Sequence, residues 1–208
     1  SSTSSDLVNQ STTLSSLGQG LLQGDENGLW FAAKDASTGL EMMFLSATGT
    51  FHLYDLQPFG DSSPSQGLSL DDGFVVAASD GTGRQLAKLD HDGGFQWLTS
   101  MTKDGTTTPV SVMAPAFGIE LLGDNLVFDV VYRGADATLF TYNLTSGMLQ
   151  ELSTSILAPG HSNDVISNGH TIWFDCVLGN TGMEICQTDG TIVGTKLTVD
   201  LMPGISPS

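Results

Sequence analysis

The sequence predicts an all-β protein built from about four similar repeats of roughly 45–50 residues. Three observations lead to this prediction. A segment near the N-terminus recurs near the C-terminus, Asn-Gly and Asp-Gly turns punctuate the chain, and no segment shows a sustained helical apolar period. Residues 6–17 form the only candidate helix, and their Ser/Thr content disfavours one.

The first and last repeats are the most alike. Trp30 in the first repeat corresponds to Trp173 in the last, and a glutamate follows each tryptophan by 11 residues, as Glu41 and Glu184. In both repeats a Gly-Thr pair then leads to an aspartate, and the repeat closes with leucine, proline and glycine. Self-similarity of this length is typical of modular β architectures.

Two weaker copies lie between these repeats. They are anchored at Val75 and Val127, so successive anchors are 45, 52 and 46 residues apart. We place one β-repeat domain at residues 19–208, after an N-terminal arm at residues 1–18. The predicted copies within the domain are residues 19–64, 65–112, 113–160 and 161–208. The arm is Ser/Thr-rich without a core pattern, so we expect a flexible tail or a strand donated to another subunit.

The strands of one copy follow in order. Residues 29–33 are short, apolar and aromatic, residues 42–45 form a second strand, and residues 51–56 alternate as a third. A further short strand, such as residues 68–70, precedes each Asn-Gly or Asp-Gly turn. Four short strands in roughly 45 residues match the content of a β-propeller blade, so the predicted fold is β-propeller-like.

The last copy also carries a recognisable motif, with Glu184 followed by Thr188-Asp189-Gly190-Thr191 and then Gly194-Thr195. This pattern resembles the E-L-W-x-x-D-G-T-x-x-G-T repeats that occur in tandem in large secreted and surface proteins of bacteria and archaea. The first copy matches less fully, and the middle two lack the D-G-T-x-x-G-T turn. The resemblance implies propeller blades and an extracellular setting, and it implies no catalytic residues.

Composition narrows the range of partners. The formal net charge is −17 with only six Lys plus Arg, which excludes a protein that binds a phosphate backbone through clustered basic residues. No apolar run is long enough to span a membrane. The chain begins with Ser1 rather than methionine, and we interpret Ser1 as a mature N-terminus left by cleavage.

Most of the acidic residues are aspartates beside glycine in turns. Turn chemistry explains this placement, because the Asp side chain caps the backbone of such turns. The alternative is calcium coordination, for which Asp90, Asp92 and Asp189 are weak candidates. We expect at most weak calcium sites and no cofactor that folding requires.

The two cysteines occupy equivalent strand positions, since Cys176 and Cys186 correspond to Ala33 and Met43 of the first copy. Both lie in one predicted hairpin centred on Thr181, where they would be directly opposed. Directly opposed strand positions bring Cα atoms within disulfide range, so we predict a disulfide; the alternative is two buried thiols. A disulfide indicates an oxidising compartment.

Two sequons, at Asn9 and Asn143, are possible N-glycosylation sites. Trp30 and Trp173 hold the core strand position of the repeat, which favours packing over stacking on sugars. Trp97 is the third tryptophan in the sequence.

The sequence contains no nucleophile elbow, P-loop or dinucleotide-binding fingerprint. Its four histidines are scattered along the chain. We therefore predict a protein that is not an enzyme. The expected function is an extracellular structural or adhesive one, as a self-assembling surface or filament subunit whose partner is itself, in a homopolymer or homo-oligomer, with surface glycans as a further candidate partner. The alternatives are a carbohydrate-binding module and a polysaccharide-acting propeller enzyme.

Overall fold

The computed structural model describes residues 14–101, 118–131, 137–153, 156–157, 165–178 and 183–201. These residues form 17 β-strands in four antiparallel sheets, which confirms the all-β prediction. Within these ranges no helix occurs, and so none is long and apolar enough to cross a membrane. The chain divides into two compact units, Ser1–Met101 and Thr102–Ser208, with two sheets in each.

The first three sheets are meanders whose strands follow sequence order. The first sheet consists of β1 (Leu14–Gly24), β2 (Gly28–Asp35), β3 (Gly39–Ser46) and β4 (Phe51–Tyr54). The second consists of β5 (Gly67–Leu70), β6 (Gly73–Ser79), β7 (Arg84–Leu89) and β8 (Phe95–Trp97). The third consists of β9 (Ile119–Leu122), β10 (Asn125–Val131), β11 (Ala137–Asn143) and β12 (Leu149–Ser153). The fourth consists of β13 (Ile156–Leu157), β14 (Ile166–Ser167), β15 (Ile172–Leu178), β16 (Met183–Thr188) and β17 (Lys196–Val199), and both β13 and β14 pair with β15.

Tight turns hold these meanders together. Asp80 caps the β6–β7 turn, where its Oδ1 accepts hydrogen bonds from the backbone N–H groups of Thr82 (2.7 Å) and Gly83 (2.9 Å). Gly73 in the β5–β6 turn has φ of 150°, and a Cβ there would lie 2.0 Å from the carbonyl oxygen of Leu89. Only glycine fits at such a position, which explains the Asp-Gly signal in the sequence.

The sheets of the first unit pack face to face, and two names describe this contact. The tryptophan face of a copy is the sheet face that carries its anchor residue; in the first copy it comprises Trp30, Ala32, Met42, Phe44, Tyr54 and Leu56. The reverse face is the opposite one; in the second copy it includes Phe74, Val76, Ala78, Ala87 and Leu89. These two faces form one buried apolar core. The next copy therefore covers the tryptophan face of the first.

The first strand of a sheet starts earlier in the sequence than expected. β1 begins at Leu14 and pairs with β2 of the same chain, with Leu17 opposite Ala33. The last residues of the predicted arm therefore belong to the sheet, and residues 1–13 lie outside the described residues. Similarly, Ile156 pairs with Leu178 in the fourth sheet although it lies within the predicted third copy. In the first, second and fourth sheets the first strand lies ahead of an Asn-Gly or Asp-Gly turn, and its weak pattern hides its true start.

Candidate functional site

The glutamate that follows Trp30 by 11 residues is buried and links two backbone segments by hydrogen bonds. Glu41 is completely buried, and its two carboxylate oxygens accept hydrogen bonds from the backbone N–H groups of Leu56 and Ser62, each at 3.0 Å. Burial raises the pKa of Glu41 above its usual range. The carboxylate thus ties the end of the first sheet to the loop that leads to the second.

Two other copies use the same position in the same way. Glu184 is buried, and its Oε2 accepts a hydrogen bond from the backbone N–H of Leu201, the residue equivalent to Leu56. Gln85 of the second copy is also buried; its Oε1 accepts from the backbone N–H of Met101 (2.9 Å), and its Nε2 donates to the Met101 carbonyl oxygen (3.1 Å). The spacing read from the sequence therefore reflects a structural role, since each side chain satisfies backbone groups beyond the last strand.

The predicted disulfide between Cys176 and Cys186 is confirmed, with 5.8 Å between the Cα atoms, and both residues lie in the core of the second unit. The predicted register is wrong. Cys176 lies opposite Glu184 and Cys186 opposite Phe174, so the cysteines are diagonal neighbours rather than directly opposed. The numbers of the paired residues sum to 360, whereas direct opposition of Cys176 and Cys186 requires a sum of 362. Residues two apart on a strand share a face, and for this reason the disulfide forms in either register.

Removing this disulfide is expected to destabilise the second unit by about 2–3 kcal/mol, the chain-entropy value for a loop of this length. The variant is the pair Cys176→Ala and Cys186→Ala, measured by denaturant unfolding beside the oxidised wild type. Reduced wild-type protein serves as the control and should lose a similar amount. A loss below about 0.5 kcal/mol in both would show that the bond constrains little in the unfolded chain.

The three calcium candidates do not come together in one turn. Asp90 Oδ1 accepts hydrogen bonds from the backbone N–H groups of Asp92 (3.2 Å) and Gly94 (2.7 Å), whereas Asp189 caps the β16–β17 turn of the fourth sheet. Hydrogen bonds from Thr191 hold the pKa of Asp189 below its usual value. Among the described residues, no group of three His, Cys, Asp or Glu side chains is arranged to hold a metal ion. Calcium binding stays a prediction.

A cleft of about 550 Å³ opens in the first unit at the turns of its two sheets. Its lining brings together His52 and His91, which the sequence treats as scattered surface histidines. The ring of Phe44 lies between them, with its centroid 5.0 Å from that of His91 and 6.5 Å from that of His52. No spacing rule predicts this gathering, because the histidines belong to different copies.

Asp25 contacts His91, which lines this cleft. Its Oδ2 accepts a hydrogen bond from Trp30 Nε1 (2.6 Å) and lies 3.2 Å from His91 Nε2, and its Oδ1 accepts from the backbone N–H groups of Asn27 and Gly28. Partial burial raises the pKa of Asp25, but the hydrogen bonds outweigh it and leave the pKa below its usual value. These contacts fix Trp30 and the turn before β2. The Asp-x-Asn-Gly turn five residues before Trp30 is the sequence signal for this arrangement.

The two sequons differ in what the structure describes. The side chain of Asn143 is engaged in its own turn: Nδ2 donates to Asn125 Oδ1 (2.8 Å), and Oδ1 accepts from the backbone N–H of Ser146 (2.7 Å). Asn9 lies outside the described residues. Glycosylation of either asparagine stays a prediction.

The tryptophan face of the fourth copy differs from its counterpart in the first. Pairing across β14, β15, β16 and β17 places Ile166, Trp173, Asp175, Ile185, Gln187 and Val199 on this face, and Leu201 follows β17. Ile185 is 38% exposed, Val199 41% and Leu201 56%. The equivalent residues of the first copy, Met42, Tyr54 and Leu56, are at most 2% exposed.

This open face, with its exposed apolar side chains, is the candidate functional site. Ile166, on the same face, is 66% exposed, while Trp173 is half-buried. Sequence reasoning missed the site because it treats the first and last copies as alike. The available signal is the replacement of Ala32 by Asp175 and of Phe44 by Gln187, which makes the fourth face more polar.

Comparison with known proteins defines the fold class. No protein-family model matches the chain, and no curated protein matches it in sequence. Among solved structures, it is similar to a puromycin-hydrolysing peptidase from Mycobacterium tuberculosis, with a TM-score of 0.59 and 13% identity over 93% of this chain and 30% of that chain. It is also similar to a prolyl endopeptidase (TM-score 0.59, 12% identity, 91% of this chain and 27% of that chain) and to TolB from Acinetobacter baumannii (TM-score 0.50, 13% identity, 88% and 42%).

The chain spans about 30% of the length of the peptidases that it matches. At these identities the likeness shows the fold alone. Together with four antiparallel sheets of four or five strands each, it confirms a β-propeller-like protein with about four blade repeats.

Proposed function

We propose that the chain is a self-associating structural or adhesive module of an extracellular or cell-surface protein. The observation that carries the proposal is the open tryptophan face of the fourth copy, which exposes apolar side chains that a neighbouring blade buries in the first copy. Exposed apolar side chains grouped on one face mark protein interaction sites. The disulfide supports an oxidising compartment, and therefore the extracellular setting.

The energetics favour covering this face. Complete burial of a Val, Leu or Ile side chain contributes about 1.5–3 kcal/mol. Ile185, Val199 and Leu201 each retain a large part of that area in contact with water. The net charge of −17 opposes association of like chains, so salt should promote it by screening the repulsion.

Association is expected to require the open face. Wild-type protein in moderate salt should form species larger than a monomer by light scattering, and the double variant Ile185→Asp with Val199→Asp should remain monomeric, because each change buries an unpaired charge in the interface. The matched control is Met148→Asp, a 57% exposed position outside this face, which should associate like wild type. Wild-type protein that stays monomeric across salt concentrations would refute the proposal.

The expectation that the chain is not an enzyme stays a prediction beside this proposal. The carbohydrate-binding and polysaccharide-acting alternatives also remain hypotheses.

A further inference from the structure

We propose that the cleft between the turns of the first and second copies binds an amino sugar, a small ligand that carries both a protonated amine and hydroxyl groups. The cleft belongs to the first unit, whereas the open tryptophan face of the fourth copy belongs to the second. The proposal therefore assigns a separate binding site and does not depend on self-association.

Two copies build the cleft together. The β1–β2 and β3–β4 turns of the first copy form one side, and His91 and Asp92 in the β7–β8 turn of the second copy form the other. The volume of about 550 Å³ lies within the range of about 300–1,000 Å³ that is typical of small-molecule sites. The space therefore suits a ligand of the size of a small saccharide.

Hydrogen bonds between the turns fix the walls of the cleft. The backbone N–H of Ala47 donates to the carbonyl oxygen of Asn27 (2.7 Å), which joins the two turns of the first copy. The Tyr54 hydroxyl donates to the carbonyl oxygen of Asp90 (2.5 Å), which joins the second copy to the first. Because these bonds form without a ligand, little ordering of the protein opposes binding.

The charge of the cleft favours a cation. Glu26 and Asp92 are exposed carboxylates in its lining, and the carboxylate of Asp25 lies 3.2 Å from His91 Nε2. None of the described residues that line the cleft is a lysine or an arginine. A cleft with this balance of charge attracts cations and repels anionic ligands such as phosphates. Since the described His, Cys, Asp and Glu side chains form no group of three that could hold a metal ion, the expected cation is an organic amine.

The other polar groups of the lining suit the hydroxyls of a sugar. Ser46, Thr48 and Thr50 contribute side-chain hydroxyls, each of which can both donate and accept a hydrogen bond. His52 adds ring nitrogens, and its ring packs on that of Phe44 with 6.5 Å between the centroids. A simple diamine would use only the carboxylates, whereas an amino sugar would also use the hydroxyls and the imidazole. The lining therefore favours an amino sugar.

The test measures binding of D-glucosamine to the full chain by ligand-observed NMR. We expect saturable binding of glucosamine. D-Glucose and N-acetyl-D-glucosamine lack the charged amine, and we expect each to bind about fivefold or more weakly. Putrescine has the amines without the ring hydroxyls and should also bind more weakly. Failure of glucosamine to saturate would overturn the site, and putrescine or glucose that binds as tightly as glucosamine would overturn the class of ligand.

Variants of the lining show whether glucosamine binds in the cleft. Glu26→Gln combined with Asp92→Asn removes both exposed carboxylates and should weaken glucosamine about fivefold without changing glucose binding. Thr50→Val removes one hydroxyl and should weaken glucosamine about threefold without changing putrescine binding.

The matched control is Asp71→Asn, which removes an exposed carboxylate of the β5–β6 turn outside the lining and should bind glucosamine like wild type. All four substituted positions are exposed, and circular dichroism with thermal melting verifies folding. If the Glu26→Gln and Asp92→Asn double variant bound glucosamine as tightly as wild type, the ligand would bind elsewhere and the assignment of the cleft would be overturned.

Discussion

Replacing Trp30 by alanine is expected to destabilise the first unit by about 3–5 kcal/mol, the usual cost of removing a buried aromatic side chain from a core. Trp30 is fully buried, and its ring centroid lies 4.3 Å from that of Phe44 and 5.1 Å from that of Phe74. The change also removes the donor to Asp25 Oδ2. Denaturant unfolding monitored by circular dichroism measures the loss.

The matched control is Trp173→Ala, the same substitution at the equivalent position of the fourth copy. Trp173 is only half-buried, and we expect a loss of about 1 kcal/mol under conditions that keep the chain monomeric. Equal losses at Trp30 and Trp173 would contradict the asymmetry between the two tryptophan faces.

Replacing Glu41 by alanine is expected to cost about 2–4 kcal/mol, because it leaves the buried backbone N–H groups of Leu56 and Ser62 without an acceptor. Glu41→Gln should cost less, since its remaining oxygen still accepts one of these bonds. In the second copy the amide of Gln85 occupies this position. Its oxygen accepts a hydrogen bond from the Met101 N–H, and its NH₂ group donates to the Met101 carbonyl oxygen. A Glu41→Ala variant as stable as wild type would contradict a stabilising role for these two hydrogen bonds.

The pH dependence of Glu41 follows from its burial. Its pKa in the folded state lies above the ordinary value of 4.5, so the folded state binds the proton more readily than the unfolded state. Stability contributed by this group therefore falls as pH rises from the ordinary to the raised pKa. Relative to Glu41→Gln, wild type should lose stability over that interval in unfolding measurements. If the difference in unfolding free energy between wild type and Glu41→Gln stayed constant or grew with pH, burial would not be the main influence on the pKa of Glu41.

Local patterns in the sequence were sufficient for much of the fold. Strands and turns could be predicted because alternation and Asp-Gly pairs are local signals, and the disulfide because Cys176 and Cys186 lie on the two strands of one short hairpin. The register of that hairpin was mispredicted, since its centre depends on the loop rather than on the strands. The gathering of His52 and His91 was not predicted, because it depends on how two copies pack.

The open face illustrates the same limit. Trp30 and Trp173 are equivalent in sequence, yet Trp30 is fully buried and Trp173 is partly exposed to solvent. The burial of such a residue depends on whether another blade covers its face. A repeat pattern in the sequence indicates which residues share a face, but it does not indicate what packs against that face. Polar replacements such as Gln187 for Phe44 indicate the difference only when the copies are compared position by position.

Hydroxyl-radical footprinting at low and high protein concentration shows whether the tryptophan face of the fourth copy becomes covered, because it reports the solvent exposure of individual side chains. We expect Ile166, Ile185 and Val199 to become protected from oxidation as concentration rises, while the exposed Met148 reacts equally at both concentrations. Oxidation of the three side chains that does not change between dilute and associating conditions would contradict a covered tryptophan face.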